Sequence, residues 1–150
     1  MTSEANSQVI LVGGGRLAGL LVETFGKQVM FAGYVDDVHG RAYVGEVYGL
    51  PNLGTSDDLE KLRQKYSHAV VAITHVRARR KYAGLLSAAG FELVTLVASS
   101  AEVAGYAQIG AGCIIRQHAV VGPRAVVGAN TVVSDLAYVG HDCRVGAHAF

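Results

Sequence analysis

Two short stretches of this 150-residue sequence hold residue types that could do chemistry. One is His141-Asp142, within Tyr138-Val139-Gly140-His141-Asp142-Cys143. An imidazole, with a reference pKa of about 6.5, accepts a proton near neutrality. Held in place as a general base, it contributes about 10²–10⁴ in rate. A carboxylate on the other ring nitrogen fixes the tautomer and steadies the imidazolium, the role open to Asp142. Two plainer readings stand beside it: His141 as an exposed corner histidine, and Asp142 as the partner of Arg124 in a surface ladder. The other stretch is Gly13-Gly14-Gly15, followed about twenty residues later by Asp36-Asp37. Gly13, Gly15 and Ala18 fit the spacing of a dinucleotide fingerprint, in which backbone N–H groups and a helix N-terminus approach an anion closely. A purely structural tight turn fits the same residues equally well.

The elements that must carry His141 are legible in a strict period. From Val97 an aliphatic side chain recurs at every sixth position through Val103, Ile109, Ile115, Val121, Val127, Val133, Val139 and Val145. Four places after each comes a small residue, as in Ala107, Cys113, Ala119 and Cys143, and a glycine often follows the aliphatic. One branched and one small inward position per hexad suit a chain wound as a triangular prism, each hexad making a short strand and a corner. An antiparallel sandwich would instead alternate with period two. Three hexads make one coil, which stacks His141 on Pro123 and Asp142 on Arg124. Cys113 and Cys143 both fall in the small inward slot, where thiols behave as compact hydrophobes, so a bridge between them is not expected.

The glycine turn sits in a different pattern. Gln8 to Val12 reads as a buried strand, with a helix after the glycines to about Phe25 and a second strand from about Val29 to Val35. Ala69 to Ile73 reads as a strand and Arg77 to Ala89 as a helix closed by Gly90. Phe91 to Val97 is the strand that delivers the chain into the prism. Gly40 to Asp58 is a looser connection, with Asp57 a candidate helix cap. The expected architecture is an α/β Rossmann-like unit over 1–96 followed by a parallel β-helix of hexapeptide repeats over 97–150.

A hydrophobic share of 51% with 17% charged residues describes a globular chain and excludes disorder. No apolar run reaches membrane-spanning length, and the first residues lack the features of a secretory signal, so a cytoplasmic location is the default. A net charge of +1 argues against nucleic acid as a partner. The basic cluster Arg77, Arg79, Arg80 and Lys81 reads as the solvated face of a helix.

A glycine-rich α/β unit, Asp36-Asp37 after its second strand and a hexapeptide prism carrying His-Asp-Cys together resemble the sugar O- and N-acyltransferases of the sialic acid O-acetyltransferase type. Bacterial UDP-4-amino-sugar N-acetyltransferases belong to the same group. The resemblance implies a left-handed helix, a homotrimer, acetyl-CoA as donor, and a UDP- or other NDP-linked amino sugar as acceptor in surface glycan biosynthesis. By position, His141 matches the family's catalytic histidine and Asp142 the acidic residue supporting it. Gly13, Gly14 and Gly15 match the loop that holds the sugar nucleotide, and Asp36 and Asp37 the acidic pair near the nucleoside. With Cys143 assigned to the core, the amine attacks the thioester directly, without an acyl-enzyme.

The sequence departs from the family in having Arg16-Leu17-Ala18 where Gly-His-Ala is usual, and Thr74-His75 where Gly-Asn or Gly-Asp is frequent. It also ends at Phe150 without a cap, which reads as a truncated piece. His118 and His148 do not reproduce the zinc spacing of gamma-class carbonic anhydrases and read as surface residues, so no metal is expected. The alternatives are O-acetylation of a sialic-acid-like sugar, a non-catalytic NAD- or nucleotide-binding protein, and a trimeric scaffold.

Overall fold

The computed structural model describes residues 8–38 and 49–150, so the first part of the connection expected from Gly40 lies outside the described residues. Val9–Val12 (β1) is buried at all four positions, as a strand covered on both faces must be. It is followed by Arg16–Phe25 (α1), Phe31–Val35 (β2), Asn52–Gly54 (β3), Leu59–Arg63 (α2), His68–Val71 (β4), Val76–Ala88 (α3) and Glu92–Leu93 (β5). The strands form one sheet in the order β3-β2-β1-β4-β5, and every pairing is parallel. From β1 the chain runs outward through β2 and β3, then returns to place β4 on the other side. That reversal opens a crevice past the carboxyl ends of β1 and β4.

Two features of this unit differ from the sequence expectation. The looser connection contains a third strand, which Asn52, Gly54 and their small neighbours give no apolar period to announce, and a short helix, α2, follows it as the candidate cap Asp57 implies. Asp57 does not cap that helix: the turn over Ser56–Asp58 starts at Thr55, whose N–H donates to the Asp58 carboxylate at 2.9 Å. The expected strand Phe91 to Val97 is split, its first part completing the α/β sheet as β5 and its last opening the prism.

From Leu96 onward, two-residue strands recur at the hexad step. They are Leu96–Val97 (β6), Glu102–Val103 (β7), Gln108–Ile109 (β8), Ile114–Ile115 (β9), Val120–Val121 (β10), Val126–Val127 (β11), Val132–Val133 (β12), Tyr138–Val139 (β13) and Arg144–Val145 (β14). Each pairs in parallel with the strand one coil on, giving three sheets: β13-β10-β7, β14-β11-β8 and β12-β9-β6. The parallel ladders exclude the antiparallel sandwich and make a stacked, three-sided β-helix.

Inside, Ile115, Val121, Val127 and Val133 pack with the small Cys113, Ala119 and Ala125 in one buried cluster. The inward register weakens at both ends of the stack. Val97 is 38% and Val103 36% exposed, because no coil among the described residues lies beneath them. Cys143 is likewise exposed, not buried as its register position suggests.

The first residue of each two-residue strand points outward, and on one sheet these residues are covered. Leu96, Ile114 and Val132 join Leu11, Leu17, Leu21 and Phe25 in a single buried cluster, so the β6-β9-β12 face is packed against the α/β unit. Burying one such side chain fully contributes about 1.5–3 kcal/mol, which is what holds the prism to the sheet.

From Gly112 onward the corners are tight turns whose second residue has positive φ: His118, Arg124, Asn130, Leu136, Asp142 and His148 lie between 54° and 63°. Glycines enter these turns for a packing reason. A Cβ on Gly122 would meet the His141 backbone nitrogen at 2.8 Å on the next coil. No helix among the described residues is long and apolar enough to cross a membrane.

Candidate active site

At the carboxyl end of β1 the chain must turn sharply into α1, and the glycines make that possible. Gly13 has φ 104°, and a Cβ there would lie 2.7 Å from Ile73 and 2.8 Å from the Ala72 carbonyl. At Gly14 a Cβ would come within 2.5 Å of the Tyr34 ring. Gly15, by contrast, faces open space. It precedes α1, whose first turn has no side-chain cap and no acidic residue. The same holds for α3, which starts after His75. Uncapped N–H groups at two helix starts therefore face a cavity of ≈ 510 Å³ lined by Gly13, Gly14, Gly15, Asp36 and Asp37, together with Arg16, Thr74, His75 and Tyr82.

The two aspartates play separate parts. Asp36 is buried, and its carboxylate accepts the Gly14 N–H at 2.9 Å and the Val38 N–H at 2.8 Å, bracing the glycine turn. Asp37 is exposed to the cavity and accepts the Tyr82 hydroxyl at 2.6 Å, the Ser56 hydroxyl at 2.7 Å and the Ser56 N–H at 2.6 Å. Burial alone would raise the Asp37 pKa, but these donors and the nearby Lys81 charge outweigh it and hold the group below its usual range. Burial and the same carboxylate push Tyr82 up to about 12.

Tyr82 and Ser56 were missed in the sequence, as nothing in their spacing points to the cavity. Thr74 and His75 stood out there only as departures from a pattern.

Arg79 overturns the reading of the basic cluster as a solvated face. Arg77, Arg80 and Lys81 are exposed, but Arg79 is 0% exposed. Its guanidinium donates to the carbonyls of Val71 at 2.9 Å and Ile73 at 2.7 Å, and to the Asn130 carbonyl at 2.7 Å and side-chain oxygen at 2.8 Å. Burial pulls its pKa down to about 10, so it remains charged at neutrality. Asn130 returns a bond to the Arg79 carbonyl at 3.1 Å and stands 3.0 Å from His148 Nδ1. His148 is therefore half-buried in this joint, whereas His118 is exposed as expected. One buried side chain thus fastens the cavity's Ile73 edge to a prism corner.

His141 and Asp142 occupy the corner between β13 and β14, as the first and second turn residues. The Asp142 N–H donates to the Pro123 carbonyl at 3.0 Å, which is the stacking read from the hexads. Both roles considered for Asp142 are present at once. Its Oδ2 is 2.8 Å from His141 Nδ1, and Arg124 grips the carboxylate in a fork, Nε to Oδ1 at 2.6 Å and a terminal nitrogen to Oδ2 at 2.7 Å. The hydrogen bond from Arg124, then that with His141, lowers the Asp142 pKa to about 2. An ionised carboxylate only accepts, so Nδ1 carries the proton and Nε2 of neutral His141 holds a free lone pair. The His141 side chain is 72% exposed, leaving that nitrogen accessible.

The chain brings the cavity residues together, and separately His141 with Asp142, but not the two groups with each other. The His141 corner joins the β7-β10-β13 and β8-β11-β14 faces, across the prism from the face the α/β unit covers. Among the described residues no three His, Cys, Asp or Glu side chains gather as a metal site.

Solved structures match this arrangement over nearly its whole length. Perosamine N-acetyltransferase from Caulobacter crescentus, in complex with CoA and GDP-perosamine, is 29% identical with a TM-score of 0.87, over 94% of this chain and 66% of that one. In fold, this chain resembles the hexapeptide-repeat sugar acetyltransferases. The Caulobacter enzyme has been crystallised with one histidine replaced by asparagine and, separately, by alanine. The acetyltransferase domain of PglB from Neisseria gonorrhoeae, also known in complex with acetyl coenzyme A, is 28% identical with a TM-score of 0.79, over 95% of this chain and 69% of that domain. WeeI from Acinetobacter baumannii, at 16% identity and a TM-score of 0.54, shares the fold. The chain thus spans just under two thirds of the Caulobacter enzyme. No family model and no curated protein sequence matches it.

Proposed function

We propose that this chain is the sugar-nucleotide-binding and catalytic-base part of an acetyl-CoA-dependent acetyltransferase that N-acetylates a nucleotide-linked amino sugar. The observation that carries the proposal is the His141 geometry: an accessible Nε2 on an imidazole whose other nitrogen is held by an ionised carboxylate. The likeness to two acetyltransferases, one in complex with CoA and a GDP-linked amino sugar, supplies the chemical class.

The sugar nucleotide lies in the cavity. Its diphosphate meets the free N–H groups at the α1 start beside Gly15 and the Arg16 charge, on a loop held by Gly13, Gly14 and Asp36. The Asp37 and Tyr82 pair faces the nucleoside.

The amine of the sugar attacks the thioester carbonyl carbon. As the N–C bond forms, its proton passes to His141 Nε2 and Asp142 steadies the imidazolium. The C–S bond then breaks, and the CoA thiolate takes the proton from His141. Cys143 is exposed, so its burial no longer argues for direct attack. What favours direct attack is that no hydrogen bond links the Cys143 sulfur to the His141 ring among the described residues.

The 1–96 part is read as a Rossmann-like unit and 97–150 as a left-handed β-helix. Because cavity and His141 lie on opposite sides of one prism, the working site is formed between copies in a homotrimer, in the cytoplasm, serving surface glycan synthesis. O-acetylation remains the alternative acceptor chemistry.

Calorimetric titration of the chain with UDP- and GDP-linked amino sugars and with NAD tests the binding half. Binding of an amino-sugar nucleotide with no response to NAD supports the reading, and preference for NAD refutes it. Mass spectrometry of the reaction product distinguishes N- from O-acetylation.

A further inference from the structure

We infer that Arg124 is a positioning residue for His141, acting from the neighbouring coil through the Asp142 carboxylate to orient the imidazole and to oppose the pull of that carboxylate toward the imidazolium. The inference deepens the reading of His141 as the base and rests on it for any effect on rate.

Its foundation is the geometry of three corner side chains. Arg124 and Asp142 are second residues of stacked turns, with φ 57° and 61°, so their side chains leave successive coils in parallel. The guanidinium fork binds both carboxylate oxygens, at 2.6 and 2.7 Å. Asp142 Oδ2 is shared: it accepts from Arg124 and lies 2.8 Å from His141 Nδ1.

Two consequences follow. A bidentate grip fixes the plane of the carboxylate, and with it the direction from which His141 Nδ1–H can donate, more tightly than a lone exposed aspartate would. Arg124 also offsets the charge of Asp142. An unopposed carboxylate favours the imidazolium and raises the histidine pKa, whereas a cation on the far side of the same carboxylate opposes that rise. The other titratable groups at this corner are Tyr106 and Arg144, which line the same groove, and Tyr138 and Cys143, which pack near Gly140. Arg144 adds to the cationic side, and none of these supplies a second anion.

The test is an NMR titration of the His141 ring in the full chain, its signal assigned by its loss in His141→Gln. In Arg124→Gln at low salt the His141 pKa is expected to rise by roughly half a unit, and the difference to shrink in strong salt. Arg124→Lys keeps the charge without the fork. It should restore most of the pKa but leave the ring less ordered, visible as faster ring relaxation. An unchanged or lower pKa in Arg124→Gln overturns the inference. If the pKa rises while the acid limb of kcat/KM stays in place, the coupling stands and the assignment of His141 as base falls.

Discussion

The cavity and the prism corner each contain an arginine and an aspartate, and the two regions use them in opposite ways. In the α/β unit Asp36 and Arg79 are buried and bonded to backbone. They brace the glycine turn and the joint with the prism from within. At the corner Asp142 and Arg124 are exposed and bonded to each other and to His141. They add little to the fold and hold one ring nitrogen of His141. Burial, not residue type, decides which role a charge takes.

Breaking the arginines should show this contrast at its largest. Arg79→Met leaves the carbonyls of Val71, Ile73 and Asn130 without donors, and a loss of about 3–5 kcal/mol is expected in urea unfolding. Arg124→Gln should leave the unfolding midpoint where it is, because an exposed pair contributes little. Equal effects would erase the distinction.

The glycines sharpen it within the cavity. Gly14→Ala forces a methyl against Tyr34 and should cost about 1–3 kcal/mol along with nucleotide binding. Gly15→Ala meets nothing in the protein, so stability should be kept while calorimetry reports weaker binding of an amino-sugar nucleotide. Full affinity in Gly15→Ala would mean that the diphosphate lies elsewhere.

A smaller effect is expected in alkali. Tyr82 holds its proton to about pH 12 in the fold but loses it near 10 when unfolded. Between those values the native state binds more protons, so stability should fall as pH rises, and Tyr82→Phe should remove that slope. At the acid end Asp142, with its pKa near 2, contributes stability that is present above the unfolded value of about 3.9 and lost as pH falls toward 2. Its exposure makes that contribution the faintest of all, seen best as a carboxyl resonance that titrates late and returns toward the ordinary range in Arg124→Gln.

How much could be read beforehand follows the same division. The prism was legible down to the stacking of Asp142 on Arg124, because a hexad repeat ties sequence position directly to place in the fold. The ends of the stack broke the rule for Val97, Val103 and Cys143, since a register assigns direction but not cover. In the α/β unit, the strands of continuous apolar character were legible, while β3 was not, lacking any period, and α2 was signalled only through Asp57. Arg79 was misread because helical position alone cannot reveal that a prism corner closes over one side of α3. Tyr82, which lines the cavity, and Ser56, which bonds to Asp37, are brought in by sheet order, which no local pattern encodes.

The most direct test compares acetyl transfer and sugar-nucleotide affinity in the protein with and without His141→Ala. The expected result is unaltered affinity for the amino-sugar nucleotide, with transfer reduced by at least the roughly 10²–10⁴ a general base supplies. Transfer at the original rate in His141→Ala would contradict the account.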